Sequence, residues 1–252
     1  GEVEEAVSAA DAAVIVVLFS VSYFSYWRGG ISIKEVFSDI IVEAPLGSRT
    51  KLTLPDGTLV WLNAGSRITY SQGFGVGNRK IELIGEGYFE VKRNEEVPFL
   101  VKTNSLLVKV LGTKFNFRDY PDDAEAIVSL SEGKVALNNL LKKEKEAFLL
   151  PNERVVLNKK NGRMHVEYST VSNALQWTNG YLFFDEELLP DVVKELERSY
   201  NVKIQIASDT LNTFRFYGNF VHREQNIQEV LEALSATRKI HYIIEGHNIT
   251  LY

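Results

Sequence analysis

At 252 residues, 45% apolar and 24% charged, the chain has the make-up of a folded globular protein with material for more than one core. A net charge of −5 leaves no basic field to attract phosphates, which excludes nucleic acid as the main direct partner. The lack of cysteine excludes disulfides, thiol catalysis and thiolate metal sites.

Gly1 to Asp11 is acidic and reads as a residual tail; a start at Gly1 instead of Met suggests a chain cut from a longer one. Residues 12–27 (AAVIVVLFSVSYFSYW) carry no charge, and Tyr23, Tyr26 and Trp27 crowd one end as an interfacial belt would. A transmembrane helix is expected there, although the stretch is shorter than the ~20 residues of a typical span. The alternative is a buried helix of a soluble protein. A signal peptide fits less well, because no basic residue precedes the apolar run. Arg28-Gly29-Gly30 ends the helix, and residues 28–43 are expected to form a tether and a first strand.

From Asp39 to Tyr168 short alternating runs are separated by turn residues, so the chain is expected to be mainly β: a sandwich, a barrel or a β-solenoid. Lys51 to Leu54 and Leu59 to Leu62 flank Pro55-Asp56-Gly57-Thr58 as a hairpin. Arg79 to Ile84 and Tyr88 to Val91 read as two strands interrupted at Gly85-Glu86-Gly87. Ala124 to Leu130 and Lys134 to Leu137 read as a hairpin around Ser131-Glu132-Gly133.

Leu106 to Phe117 changes face. Leu106, Val108 and Val110 are apolar at even positions, Phe115 and Phe117 at odd ones, with Gly112-Thr113 between. Because strands have period two, a bulge at Gly112 is expected. A structural kink accounts for this. A chemical reading also exists: a strained loop could hold the Thr113 hydroxyl against the Gly112 carbonyl carbon.

After Tyr168 a connector (169–179) leads to a pattern that occurs twice, over 180–252. Strand Tyr181 to Phe184, helix Glu187 to Tyr200 and strand Val202 to Ile206 form the first unit. Strand Phe214 to Val221, a helix capped by Asn226 and a final hairpin, Ile240 to Ile244 with Ile249 to Tyr252, form the second. Two βαβ-like units on one sheet are expected, with edges able to accept a partner's strand. Phe214, Phe216 and Phe220 on one such strand, and Ile249 and Leu251 on the other, are the candidate partner-binding residues.

Conventional catalytic chemistry is missing. His165, His222, His241 and His247 share no ligand spacing, Asp119 to Asp123 does not match a calcium loop, and Gly73-Phe74-Gly75 lacks the dinucleotide fingerprint. Neither an enzyme nor a cofactor is expected.

Several motifs together resemble the FecR family of membrane-spanning anti-sigma regulators. These are Leu54-Pro55-Asp56-Gly57-Thr58, Trp61-Leu62-Asn63-Ala64-Gly65-Ser66, Gly85-Glu86-Gly87-Tyr88-Phe89-Glu90-Val91, Pro98-Phe99, the stretch Val110 to Phe117, and Glu132-Gly133. The resemblance implies a FecR-type β domain over 44–168. The repeat after Gly180 is similar to the short N-terminal domains of secretins and TonB-dependent transporters. It further implies a single-pass inner-membrane protein whose residues after about 28 are periplasmic. Its partners would be the N-terminal domain of an outer-membrane TonB-dependent transporter and an ECF sigma factor, the latter bound by a cytoplasmic segment not represented here. In some relatives the periplasmic region cuts itself at a Gly-Thr pair by an N-to-O acyl shift; the matching pair is Gly112-Thr113. A rival reading is an envelope carbohydrate- or protein-binding module, which would need Trp61, Tyr70, Phe74 and Tyr88 on an exposed platform.

Overall fold

The computed structural model describes residues 14, 16–26, 38–169, 171–222 and 224–252. Residues 16–26 are helical (α1), with Val16, Leu18, Phe19 and Tyr26 exposed. Among the described residues no helix is long and apolar enough to cross a membrane. Positions 12, 13, 15 and 27 of the expected span lie outside the described residues, as do 1–11, the Arg28-Gly29-Gly30 break and 31–37 of the expected tether.

Residues 39–168 form β1 (Asp39–Ala44), β2 (Thr50–Thr53), β3 (Leu59–Leu62), β4 (Ser66–Ser71), β5 (Arg79–Glu90), β6 (Phe99–Lys102), β7 (Leu106–Val110), β8 (Lys114–Asp119), β9 (Glu125–Glu132), β10 (Val135–Asn139), β11 (Ala147–Leu149), β12 (Glu153–Asn158) and β13 (Arg163–Tyr168). All belong to one thirteen-stranded sheet that curls into a nearly closed, barrel-like body. Its core draws Val60, Leu83, Phe89, Phe99, Val108, Phe115, Val128, Leu137 and Leu157 from strands all round the sheet into one cluster. The polar members of each alternating strand are left outside.

The sheet turns on β5. Instead of two strands interrupted at Gly85, the chain runs extended through Arg79–Glu90. Its first part pairs with β4 and β6, and its second part with β3 and β8. The change of partner falls at Gly85, whose φ of +96° suits glycine and whose missing Cβ would otherwise sit against Ser66. One wing holds β1, β4, β6, β7, β10 and β11, the other β2, β3, β8, β9, β12 and β13.

This two-winged layout corrects two local expectations. β7 and β8 are not one bulged strand: β7 pairs with β6 and β10, β8 with β5 and β9, so the chain crosses between wings at residues 111–113. Both apolar faces, before and after Gly112, still reach the core. β9 and β10 likewise do not pair with each other; β9 joins β8 and β12, and β10 joins β7 and β11. The register shift expected at Gly112 lies between β8 and β9, where Lys114 faces Glu132 and Phe115 faces Leu130.

After the body come α2 (Val171–Ala174) and a 3-10 turn, Gln176–Asn179. The repeat follows as β14 (Tyr181–Leu188), α3 (Leu189–Tyr200), β15 (Lys203–Ile206), β16 (Arg215–Val221), α4 (Ile227–Ser235), β17 (Tyr242–Glu245) and β18 (Asn248–Leu251). The two strand–helix–strand units are present, but their strands form two sheets instead of one: β14 with β16, and β15-β18-β17. α3 starts two residues later than its sequence pattern suggests. Glu186 takes a φ of 55° and β14 shifts register between Phe184 and Glu187, so the strand continues to Leu188. Leu182, Phe184, Leu196, Phe216, Leu231 and Leu251 belong to a second core of its own.

That second core takes up most of the side chains expected to bind a partner. Phe216, Phe220, Ile249 and Leu251 are buried in it, and Phe214 packs against it half-buried. β18 is also no edge. It is flanked by β15 in parallel and β17 antiparallel, because a strand that closes a crossover unit and a hairpin at once must lie between them.

Candidate functional site

The richest polar site lies where α3 meets the outer face of the β body. On β5 and β8, Phe89, Phe115 and Phe117 point into the core, so Glu86, Asn116 and Arg118 must point outward. Outward positions normally meet water, yet Glu86 and Asn116 are buried. Trp177 and α3 cover them. Trp177 donates from Nε1 to Asn116 Oδ1 at 3.1 Å.

Glu86 accepts from Asn63 Nδ2 at 2.9 Å and from Asn116 Nδ2 at 2.8 Å, and lies 3.5 Å from Arg118. Arg118 donates to Asp123 at 2.8 Å and to Glu195 of α3 at 2.9 Å. Arg198, one turn further along α3, reaches Asp123 at 3.1 Å and Glu195 at 3.4 Å. Its guanidinium stacks 4.0 Å above the Tyr120 ring. The Tyr120 hydroxyl donates to the Ala64 carbonyl at 2.8 Å, and the Gly47 amide donates to the Arg198 carbonyl at 2.8 Å. The result is a water-poor lattice of opposite charges joining residues far apart in sequence.

Two of its carboxylates, Glu195 and Glu86, differ. Burial alone would raise Glu195, but Arg118 and then Arg198 hold it down at about 2. Burial raises Glu86, and one more distant guanidinium with two amide donors does not offset this. Arg118 loses hydration by burial as well, yet Glu195, Glu86 and Asp123 lift it well above its ordinary value.

The motif residues mostly build this site and its supports. Asn63 and Ser66 flank Glu86, Ser66 Oγ accepting from the Glu86 amide at 2.8 Å. Asp56 caps its own turn through the Thr58 amide at 2.9 Å and pairs with buried Arg79 at 3.2 Å. Arg79 in turn donates to the carbonyls of Lys92 and Val97, pinning the loop after β5. Glu195, Arg198 and Arg118 are the members that sequence reasoning missed. On α3 the charges sit beside the apolar stripe at a spacing of three, a pattern shared by solvated helices.

Gly112 and Thr113 lie in the crossing between wings, just before β8. Thr113 is buried and its hydroxyl donates to the Lys134 carbonyl at 3.1 Å. Gly112 is not among the positive-φ glycines. Close approach requires it: a Cβ there would come within 2.7 Å of the Arg93 backbone. The aromatic platform of a glycan-binding body is not formed, since Phe74 is 2% and Tyr88 7% exposed. Among the described residues no group of three or more His, Asp or Glu side chains is gathered for a metal ion.

Comparisons with known proteins agree with this two-part layout. The FecR protein family model matches residues 41–136, and the FecR C-terminal model matches residues 181–251. Two crystal structures of a candidate anti-sigma factor from Parabacteroides distasonis ATCC 8503 are 33% identical to this chain, each with a TM-score of 0.78. They cover 84% and 85% of this chain and 98% and 99% of their own. No curated relative matches the chain.

Proposed function

The chain belongs to the FecR family of anti-sigma regulators, and on that footing we propose that residues after about 28 are the periplasmic part of a single-pass inner-membrane protein. The C-terminal module receives the N-terminal domain of an outer-membrane TonB-dependent transporter. The β body passes the event through residues 12–27 to an ECF sigma factor held by a cytoplasmic segment. What supports a relay is the grip on α3. Its Glu195 and Arg198 are ion-paired to Arg118 and Asp123 of the body, so strain on the module reaches β8 and β5 directly and is not lost in a loose linker.

The docking surface is an open sheet edge, with β17 replacing β18 as the candidate. His241 and Tyr252 exchange both backbone hydrogen bonds, at 2.9 and 3.0 Å, so the alternate amides of Tyr242 and Ile244 face outward from β17. Ile243 and Ile244 are exposed there. A transporter strand added at this edge would bond to those amides. Binding of the full chain to the purified transporter domain, measured by calorimetry, tests the reading. Removal of 180–252 is expected to abolish binding and Ile244→Pro to weaken it. Binding that survives removal of 180–252 would refute this part of the proposal.

Self-cleavage at Gly112-Thr113 is the finer proposal. Thr113 Oγ1 would attack the Gly112 carbonyl carbon, the amide nitrogen leaving as the free amine of Thr113, and water would hydrolyse the resulting ester. The Lys134 carbonyl, as acceptor, orients the hydroxyl. β7 and β8 are each paired on both sides, so the cut halves would stay associated until denatured. A denaturing gel is expected to show two fragments, and Thr113→Ala one intact chain. An intact wild-type chain would leave Gly112 only its packing role.

A further inference from the structure

Beside the ion-pair lattice, an open cavity of about 330 Å³ lies between the β body and the C-terminal module. Its size is at the lower end for small-molecule sites. Arg49, Lys51 and Trp61 contribute from the body, Trp177 and Thr178 from the connector, and His222 from the module. Among the described lining residues there is no carboxylate, in a chain of net charge −5.

The cationic groups are incompletely used. Arg49 spends Nε on Asn63 Oδ1 at 3.0 Å, while its Nη2 is buried without a hydrogen-bond partner. A partly desolvated guanidinium with free donors favours a planar oxyanion that can meet its fork. Burial already pulls Arg49 down from its ordinary value, with Glu195 and Glu86 opposing only through space. The Lys51 ammonium rests 4.5 Å from the Trp61 ring centroid, beside an indole surface that is half-buried. Trp177 is fixed by its bond to Asn116. His222 donates from Nε2 to the Ser199 carbonyl at 2.6 Å, and burial lowers it, so its ring presents a neutral acceptor at Nδ1. The Thr178 hydroxyl donates to the Leu175 carbonyl at 2.7 Å and keeps its lone pairs for a ligand hydroxyl.

We propose that this cavity binds a small carboxylate carried on a ring, with Arg49 and Lys51 pairing with the carboxylate while the indoles of Trp61 and Trp177 pack against the ring. The walls come from both modules, so an occupant bridges them next to the lattice that holds α3. Any effect on signalling rests on the anti-sigma reading above; the binding itself does not.

The test is a titration of the full chain, followed by indole fluorescence and calorimetry at constant ionic strength. The probes are sodium glucuronate, sodium benzoate, glucose and inorganic phosphate. Saturable binding of glucuronate or benzoate, with glucose and phosphate silent, is expected; which of the two binds distinguishes a sugar acid from an aromatic one. Lys51→Gln, at an exposed position, is expected to weaken binding about tenfold, and Arg49→Lys to do so at least as strongly. The proposal fails if neither ring carboxylate saturates, if glucose or phosphate binds as well, or if Lys51→Gln binds like the wild type. Transporter binding measured without any ring carboxylate separates such a failure from failure of the anti-sigma reading.

Discussion

α3 and α4 occupy matching places in the two strand–helix–strand units, yet they are held in different ways. α3 buries Leu189, Val192, Val193 and Leu196 toward the module core, and Glu195, Arg198 and Ser199 on the side that meets the β body. α4 buries Val230, Leu231 and Leu234 alone. Their starts differ accordingly. α3 has no side-chain cap and carries Pro190 in its first turn, whereas α4 begins on a full capping box between Asn226 and Glu229. A helix held on two sides is fixed by tertiary contacts; one held on a single side depends more on its own ends. The repeat therefore has an anchored half and a freer half, and the open edge of β17 belongs to the freer one.

Breaking the anchored half should cost most. Glu195→Ala strips Arg118 and Arg198 of one of the two carboxylates they share, leaving Asp123 alone between them in a buried site, a loss of about 3–5 kcal/mol. Calorimetry should show a large fall in Tm, and limited proteolysis should begin to separate the module from the body. A loss smaller than that of Asn226→Ala would overturn the comparison.

Acid should loosen the same half. The carboxyl of Glu195 sits at about 2, below its ordinary 4.5, so the unfolded chain binds the proton more readily. Its stabilisation is complete above about 4.5 and disappears as pH falls from there toward 2, a contribution of about 3 kcal/mol. Glu86, raised by burial, has the opposite sign: its contribution is present at low pH and lost as pH rises through its native value. Urea midpoints at pH 5 and pH 3 should differ in the wild type, and less so in Glu195→Gln.

On the freer half, Asn226→Ala removes the bond to the Glu229 amide at 3.1 Å and should cost about 1 kcal/mol. Hydrogen exchange should quicken in the first turn of α4 and leave α3 unchanged. Smallest is Lys194→Ala, on the more open side of α3, where the pair with Asp191 at 3.2 Å is partly solvated. Its effect should stay within about 0.5 kcal/mol. A larger effect would mean that the grip on α3 extends beyond the face carrying Glu195.

How far these elements could be read in advance depended on the range of the interactions behind them. The hairpin of β2 and β3, the cap at Asn226 and the change of core face across Gly112 follow from neighbours a few residues apart, and each is present. The continuity of β5 through Gly85 and the separation of β9 from β10 depend on strands distant in sequence, and there local turn signals misled. Asn116 and Glu86 alternate with core phenylalanines as solvent-facing residues would, so alternation could not show that Trp177 and α3, far later in the chain, cover them.

Composition, turn chemistry and periodicity by themselves determined a mainly β body followed by a duplicated α/β unit, because backbone geometry and side-chain period act over a few residues. The motifs around Asn63, Glu86 and Gly112 also pointed by themselves to the family. Only the tertiary structure decided that Glu86, Arg118, Glu195 and Arg198 form one site, that β18 is central, and that Phe216 and Phe220 are core. The reason is physical. A charge in a sequence reads as hydrated until another part of the chain removes its water, and which part does so depends on how the two modules pack.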